Sequence, residues 1–201
     1  MRLILASGSA RRPELLAAIG VAFEVIPADV DESSDEPDPG RLAVELALRK
    51  ATAVAAREPG AAVIGADTLV HLDGRYFGKP ADPAAAVETL EALRGRTHQV
   101  VSGIAVVCDD RHAAEAVVTH VTMRDYTAEE IAAFVATGRP MDKSGAYAIQ
   151  DDVFAPVAAC DGCLCSVIGL PLWTTRRLLE TIGGVEASAP AYERCEACPA
   201  R

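Results

Sequence analysis

The alternation of apolar and polar residues divides the chain into short strands and helices. Runs rich in Val and Ile predict strands, and apolar residues that recur every three or four positions predict helices. The predicted strands are residues 3–6, 23–27, 62–72, 99–108 and 116–123, and the predicted helices are residues 12–20, 41–58, 84–93 and 172–182. A capping box of Thr127 and Glu130 predicts one more helix start. Strands that alternate with helices indicate an α/β fold.

The composition fits one globular domain with a large core. Half of the 201 residues are hydrophobic, which is enough apolar surface to stabilise a domain of this size. We expect the domain to span residues 1–185. Residues 186–201 are small and polar, so we expect them to form a mobile C-terminal tail.

The acidic charge balance argues against two classes of partner. The chain has 19 Lys and Arg against 29 Asp and Glu, a net charge of -10, so its surface as a whole repels phosphate backbones and anionic lipids. We therefore expect no nucleic-acid partner and no membrane partner. The longest uncharged stretch is 14 residues, 162–175, and contains Gly and Pro, too short and too broken for a membrane span. The N-terminus lacks the apolar segment of a signal peptide, which predicts a cytoplasmic location.

Small residues and two arginines follow the first predicted strand. Ser7, Gly8 and Ser9 lead into Arg11 and Arg12 at the start of a helix. Free backbone N–H groups and the positive end of the helix dipole make such a turn an anion site. A plain strand-to-helix turn with two solvated arginines is an equal alternative on this pattern alone.

One carboxylate interrupts an otherwise apolar run. Asp67 follows the sequence 61–66, all apolar or Gly, and its burial costs several kcal/mol unless it is paired or bound to a metal. The alternative is an Asp that caps the end of a strand. Lys50 lies on the polar side of the predicted helix 41–58, and this pattern alone predicts an exposed surface residue.

Six motifs in order resemble the Maf family of nucleoside triphosphate pyrophosphatases, also called septum formation inhibitor proteins. The matching stretches are LASGSARRPELL at 5–16, VDE at 30–32, GADTLV at 65–70, GKP at 78–80, DKSGAYAIQ at 142–150 and GLPL at 169–172. The resemblance implies an inosine triphosphate pyrophosphatase-like fold: a mixed twisted sheet flanked by helices, in two lobes with a central cleft. It also implies a homodimer.

The resemblance implies hydrolysis between the α and β phosphorus of a nucleoside triphosphate, which releases a monophosphate and pyrophosphate with the help of Mg²⁺ or Mn²⁺. Asp67 matches the proton acceptor for the attacking water, and Glu32 matches a second acid at the metal site. Such carboxylates suit a hard cation. Triphosphate contacts are implied for Ser7, Arg12, Lys50 and Lys79, with Lys79 also in the catalytic set.

Substrate preference is implied by three further positions. Arg11, Thr68 and Gln150 resemble the branch that acts on dTTP and UTP. The amide of Gln150 can both donate to and accept from a pyrimidine edge. The implied role is nucleotide-pool house-cleaning. The alternatives are a pyrophosphatase for modified nucleotides and a nucleotide-binding regulator of septum formation.

Three features depart from the family pattern. Pro13 disfavours a helical backbone at Arg12 and is expected to shift the helix start. Asp151 and Asp152 add negative charge after Gln150.

The third departure is the cysteines, which form two C-x-x-C pairs, Cys160 with Cys163 and Cys195 with Cys198. These pairs resemble a zinc ribbon. The first pair lies across a predicted turn and the second in the tail, so we expect unrelated thiols, with a zinc-stabilised interaction module as the alternative.

Overall fold

The computed structural model of the protein describes residues 1–195, 198–199 and 201. Its strands are β1 (Leu3–Ala6), β2 (Glu24–Val25), β3 (Ala62–Leu72), β4 (Arg75–Tyr76), β5 (Thr97–Cys108), β6 (Arg111–Met123) and β7 (Val157–Asp161). Its helices are α1 (Arg11–Ala17), α2 (Pro39–Ala55), α3 (Pro83–Leu93), α4 (Ala128–Ala136), α5 (Leu164–Ile168) and α6 (Leu172–Ile182). In this part of the chain, every helix is too short or too polar to cross a membrane.

The strands form one mixed sheet in the order β2-β1-β3-β5-β6-β7, with β4 paired to β3. β1 runs parallel to both β2 and β3. The pairs β3–β4 and β6–β7 are antiparallel. The predicted α/β class with a mixed sheet and helices is therefore confirmed.

The chain divides into two compact units. The first contains residues 1–68, 101–118 and 162–201, and the second contains residues 69–100 and 119–161. The three long strands β3, β5 and β6 each contribute to both units. The domain limits proposed from composition stay a prediction.

Helix α2 packs very closely against the strands of the first unit. A Cβ atom added at Gly65 of β3 would lie 2.1 Å from the Ala47 carbonyl oxygen, and one added at Gly103 of β5 would lie 2.1 Å from the Ala43 carbonyl oxygen. The helix contributes small residues to the same contact, and Ala43, Ala47 and Ala51 are fully buried. Glycine in the strands and alanine on the helix therefore bring the two backbones together.

The second unit has a core of its own, built partly from aromatic rings. Phe134 of α4 stacks on Phe154 with ring centroids 4.3 Å apart, and Tyr126 lies 5.0 Å from the same Phe154 ring. The Tyr126 hydroxyl donates to the carbonyl of Leu90 at the end of α3. Thr127 and Glu130 form the predicted capping box of α4.

Most predicted elements are present, and the main differences concern short segments. β4, β7 and α5 are not among the predicted strands and helices because they have only two to five residues, and short segments carry little periodic signal. Helix α1 begins at Arg11, and Arg12 is helical. The expectation that Pro13 would disfavour this conformation is wrong. Pro13 occupies the first turn, where its missing N–H has no helical partner to lose.

The described part of the C-terminal segment folds back on the first unit. The Ser188 and Ala191 amides donate to the carbonyls of Ile19 and Ala18, each at 2.8 Å. The Trp173 indole N–H of α6 donates to the Cys195 carbonyl at 3.2 Å. These contacts fix where the segment lies, and its predicted mobility stays a prediction.

The close approach of α2 to the sheet predicts the effect of one added methyl group. Gly103→Ala would force the helix backbone away from β5, and overpacking of this kind costs about 1–3 kcal/mol. We expect the melting temperature to fall by about 3–10 °C. The control is Gly78→Ala, because a Cβ at Gly78 meets nothing within 4 Å. Equal melting temperatures for the two variants would contradict the packing argument.

Candidate functional site

Parallel pairing of β1 and β3 brings two predicted motifs together within the first unit. Ala6 pairs with Gly65, so Ser7, which follows β1, lies beside the part of β3 that carries Asp67, two residues beyond Gly65 and within the strand. The carboxyl end of a parallel strand, here β1, is where ligand sites form in open α/β sheets. The close packing of α2 at Gly65 adds Lys50 to this group.

One lysine joins the two predicted acidic residues. The Lys50 Nζ atom lies 2.6 Å from Asp67 Oδ1 and 2.6 Å from Glu32 Oε1. The Lys50 and Asp67 side chains are each only 11% exposed, whereas Glu32 is 59% exposed. The buried carboxylate therefore has the charged partner that its burial requires. The expectation from helix periodicity that Lys50 is a surface residue is wrong, because periodicity does not register an acid on the adjacent strand.

Arg12 is held by three acceptors before any substrate binds. Its Nε atom donates to the Gly169 carbonyl at 3.0 Å, and its two terminal nitrogens donate to Ser7 Oγ at 3.1 Å and Thr68 Oγ1 at 3.4 Å. Burial lowers the pKa of the Arg12 guanidinium, and Asp67 opposes this shift. An arginine stays charged under such a shift, so Arg12 is a fixed cation near the two acids.

A chain of hydroxyl groups continues from Arg12 into the core. Ser102 Oγ donates to the Ser166 carbonyl at 2.7 Å and lies 2.8 Å from Thr68 Oγ1. A carbonyl can only accept, so the Ser102 proton is committed to Ser166, and Thr68 must donate to Ser102. The Thr68 oxygen therefore turns its lone pairs toward Arg12. All donors in this chain point the same way, from Arg12 through Thr68 and Ser102 to the Ser166 backbone.

Arg11 offers a donor that the protein leaves unused. Its Nε atom is buried and has no hydrogen-bond partner among the described residues. An unpaired buried donor costs about 1–3 kcal/mol, and an acceptor on a bound ligand would remove that cost. This observation fits the role in substrate binding that the motif predicts for Arg11.

Two predicted site residues belong to the second unit. Lys79 is exposed and follows β4, and Gln150 is half-buried in the loop before β7. Their roles stay predictions. The extra charge beside Gln150 is partly compensated, since Asp151 is 3.1 Å from Arg139 and caps the amides of Val153 and Phe154.

The acidic pair fits a divalent cation that is shared with a substrate. Among the described residues, no three potential ligands are grouped for metal binding. Mg²⁺ is commonly held by one or two carboxylates together with substrate phosphates and water. Glu32 and Asp67, which reach the same lysine nitrogen, satisfy that smaller requirement.

Sequence reasoning missed Ser102, Ser166 and the Gly169 carbonyl. Ser102 interrupts the apolar strand sequence around it, and its side chain is completely buried. That is the same signal that singled out Asp67. The Gly169 contact carries no comparable signal, because a backbone carbonyl exists at every residue.

Comparisons with known proteins show the family of the chain. The family model described as "Maf-like protein" matches residues 2–182. The chain belongs to the Maf family. Two relatives are named dTTP/UTP pyrophosphatase. The Thermomicrobium roseum protein is 44% identical, with 99% of this chain and 94% of the relative covered. The Moorella thermoacetica protein is 48% identical, with 90% of this chain and 95% of the relative covered.

A solved structure was also found, of a nucleoside-triphosphatase / dITP/XTP pyrophosphatase from Mycobacterium abscessus. It is 20% identical, has a TM-score of 0.40, and the match covers 63% of this chain and 76% of that one.

The buried ion pair predicts a non-additive effect on stability. Lys50→Met removes the cation that compensates Asp67 and should cost about 3 kcal/mol, because a buried charge is left unpaired. Adding Asp67→Asn should restore most of the loss. Urea unfolding of both single variants and the double variant measures the coupling. Additive free energies would show that Asp67 does not depend on Lys50.

Proposed function

We propose that this Maf-family chain hydrolyses nucleoside triphosphates, with dTTP and UTP preferred, to the monophosphate and pyrophosphate. The observation that carries the proposal is the grouping of Asp67, Lys50 and Glu32 near the preorganised Arg12. It combines carboxylates for proton transfer or metal binding with fixed cations for phosphate oxygens. Two relatives named dTTP/UTP pyrophosphatase, which match this chain over nearly their whole length, support the same activity.

Lys50 can contact phosphate without releasing either acid. An ammonium group has three N–H donors. Two of them face Asp67 and Glu32, which leaves the third for a phosphate oxygen. The lysine would thus keep the two acids close to each other while it neutralises charge on the triphosphate.

Asp67 is the proposed acceptor for the proton of the attacking water. Its Oδ1 atom is engaged by Lys50, so its second oxygen is the one to face the water. Glu32 and Asp67 would hold Mg²⁺ or Mn²⁺, which when bound neutralises charge that develops on the phosphoryl group. Arg12 contributes orientation, since its three protein contacts keep the guanidinium in one position.

Thr68 supplies a reason for the proposed base preference. Its proton is committed to Ser102, so toward any ligand Thr68 acts only as an acceptor. Uracil and thymine present N3–H, a donor, whereas cytosine presents an unprotonated N3, an acceptor. Where Thr68 faces position 3 of the base, the inward proton therefore favours dTTP and UTP over CTP. Gln150 and Arg11 complete the proposed set of base and substrate contacts.

Other parts of the proposal rest on the family resemblance. They are house-cleaning of the nucleotide pool, a cytoplasmic location, a homodimer and the roles of Ser7 and Lys79 at the triphosphate.

The activity is tested with a panel of dTTP, UTP, CTP, ATP and GTP in the presence of Mg²⁺ or Mn²⁺, with pyrophosphate release as the readout. We expect dTTP and UTP to give the highest kcat/KM. Asp67→Asn keeps the size of the side chain and removes its charge, so kcat should fall at least about a hundredfold while nucleotide binding persists. Asp110→Asn, an exposed position in the β5–β6 turn, is the matched control.

Two results would contradict the proposal. Turnover of Asp67→Asn within a few-fold of the parent would remove this residue from the chemistry. Equal kcat/KM values for all five nucleotides would disprove the pyrimidine preference and leave the hydrolase activity standing.

The hydroxyl chain predicts that Ser102 is a positioning residue. Ser102→Ala takes away the acceptor of the Thr68 proton, which frees the hydroxyl to rotate and weakens the support of Arg12. We expect kcat/KM for UTP to fall by about 3- to 10-fold, the equivalent of one hydrogen bond, and the preference for UTP over CTP to narrow.

Ser166→Ala is the matched control, because Ser166 takes part through its backbone carbonyl and its own hydroxyl donates elsewhere, to Val117. Each variant removes one buried serine hydroxyl group, so the two changes are chemically alike. A similar loss of the UTP preference in both would contradict the positioning role.

A further inference from the structure

Four buried cysteines gather in the first unit, and none of them is among the residues assigned to catalysis. Cys163 and Cys165 lie at the start of α5, and Cys195 and Cys198 lie in the C-terminal segment. All four are at most 7% exposed. The proposed hydrolysis uses none of them.

Contacts link the two cysteines at the start of α5 to the two in the C-terminal segment. Cys165 Sγ lies 2.8 Å from Cys195 Sγ. The Cys163 thiol is hydrogen-bonded to the Cys198 thiol and also interacts with Cys195. Cys165 interacts electrostatically with the other three. The four thiols therefore form one cluster, built from a C-x-C sequence and a C-x-x-C sequence about 30 residues later.

This cluster differs from the pairing that the sequence suggested. The pattern favoured Cys160 with Cys163, but Cys160 lies in β7, in the second unit, and its thiol interacts with Tyr147. Cys165 occupies the place in the cluster that spacing alone assigned to Cys160. The structure brings four of the thiols together, and the expectation that they share no metal stays a prediction.

We propose that Cys163, Cys165, Cys195 and Cys198 bind one structural zinc ion that ties the C-terminal segment to α5. Four sulfur ligands select Zn²⁺ over Mg²⁺ or Mn²⁺, which prefer oxygen. The site is thus distinct in chemistry from the carboxylate pair at Asp67. Zinc here is a structural ion and takes no part in hydrolysis.

Metal binding requires a small rearrangement of the thiols. No group of three or more ligands in the described chain is spaced for a metal as it stands. Four sulfurs at about 2.3 Å from zinc lie about 3.8 Å from each other, so Cys165 and Cys195 must separate by about 1 Å. Rotation about the Cα–Cβ bonds of the two residues supplies a movement of that size.

Two features prepare the site for this change. The Ser166 amide donates to the Cys163 carbonyl at 3.0 Å, which fixes the backbone of Cys163 at the start of α5. The segment that carries Cys195 and Cys198 is already held by the Trp173 indole and by the amides of Ser188 and Ala191. These contacts therefore hold the two halves of the site next to each other.

The site also lies close in sequence to an anchor of the active site. The Cys165 carbonyl accepts the amides of Gly169 and Leu170, and the Gly169 carbonyl in turn accepts from Arg12. A zinc ion at Cys165 would thus stabilise the end of α5 from which this carbonyl projects.

The test uses the full-length chain, reduced and stripped of metal with a chelator, then given Zn²⁺ and desalted. We expect about one zinc per chain by elemental analysis and a rise in melting temperature of at least about 5 °C. Replacement of zinc by Co²⁺ should give the thiolate charge-transfer and tetrahedral visible bands. Cys165→Ser and Cys198→Ser should each lower zinc affinity at least about tenfold.

Cys108→Ser and Cys160→Ser are the matched controls, since both lie outside the cluster, and they should keep the zinc. Loss of zinc from these controls to the same extent would overturn the assignment. The assignment would also be overturned if the reduced parent protein retained less than about a tenth of an equivalent of zinc. This holds also if the unreduced protein carries a Cys165–Cys195 disulfide. Because the parent protein alone decides that outcome, the test holds even if a variant fails to fold.

Discussion

The position of Lys50 between two carboxylates is the constraint on which the first unit depends. Asp67 is an acid inside a nearly apolar strand, and its charge is tolerable only next to a cation. That cation comes from α2, and it reaches Asp67 because Gly65 and Gly103 let the helix approach the sheet without intervening side chains. Tight helix packing and the charge of the site are therefore one structural requirement.

The cations of the site differ in how they are prepared. Arg12 is fixed by three protein acceptors, so little freedom is left for it to lose when a substrate binds. Donors that are already oriented stabilise developing charge without reorganisation at the moment of reaction. The cost of holding Arg12 is met by buried hydroxyls, whose order of donation ends at a backbone carbonyl that can only accept.

The sequence predicts the regular parts of the fold well and the contacts between them less well. The strand bounds of β1 and β3 and the bounds of α6 agree with the patterns of apolar residues, because these signals are local. Asp67 was found as a polar residue in an apolar run. Lys50 was misplaced because its partner is 17 residues away, on another element.

The cysteines also show that a local sequence pattern does not predict contacts between distant segments. A spacing of C-x-x-C favoured Cys160, whereas the end of β7 and the start of α5 separate Cys160 from Cys163. That boundary lies between two five-residue elements that periodicity does not resolve. The folding back of the C-terminal segment, which brings Cys195 to Cys165, depends on contacts with α6 and with the turn that follows α1. Such contacts between distant segments have no signature in a local pattern.

An acidic protein can still attract a polyanion if a site has hydrogen-bond donors without partners and its carboxylates are already paired. The net charge of -10 acts over the whole surface, where salt screens it beyond about 10 Å. At the site, the Asp67 carboxylate is already paired, whereas Lys50 keeps one N–H for a new acceptor and Arg11 Nε has no partner among the described residues. If a phosphate group binds at this site as proposed, its oxygens would contact these unsatisfied donors. The long-range field of the chain opposes the approach of the anion, and the short-range donors determine whether it stays.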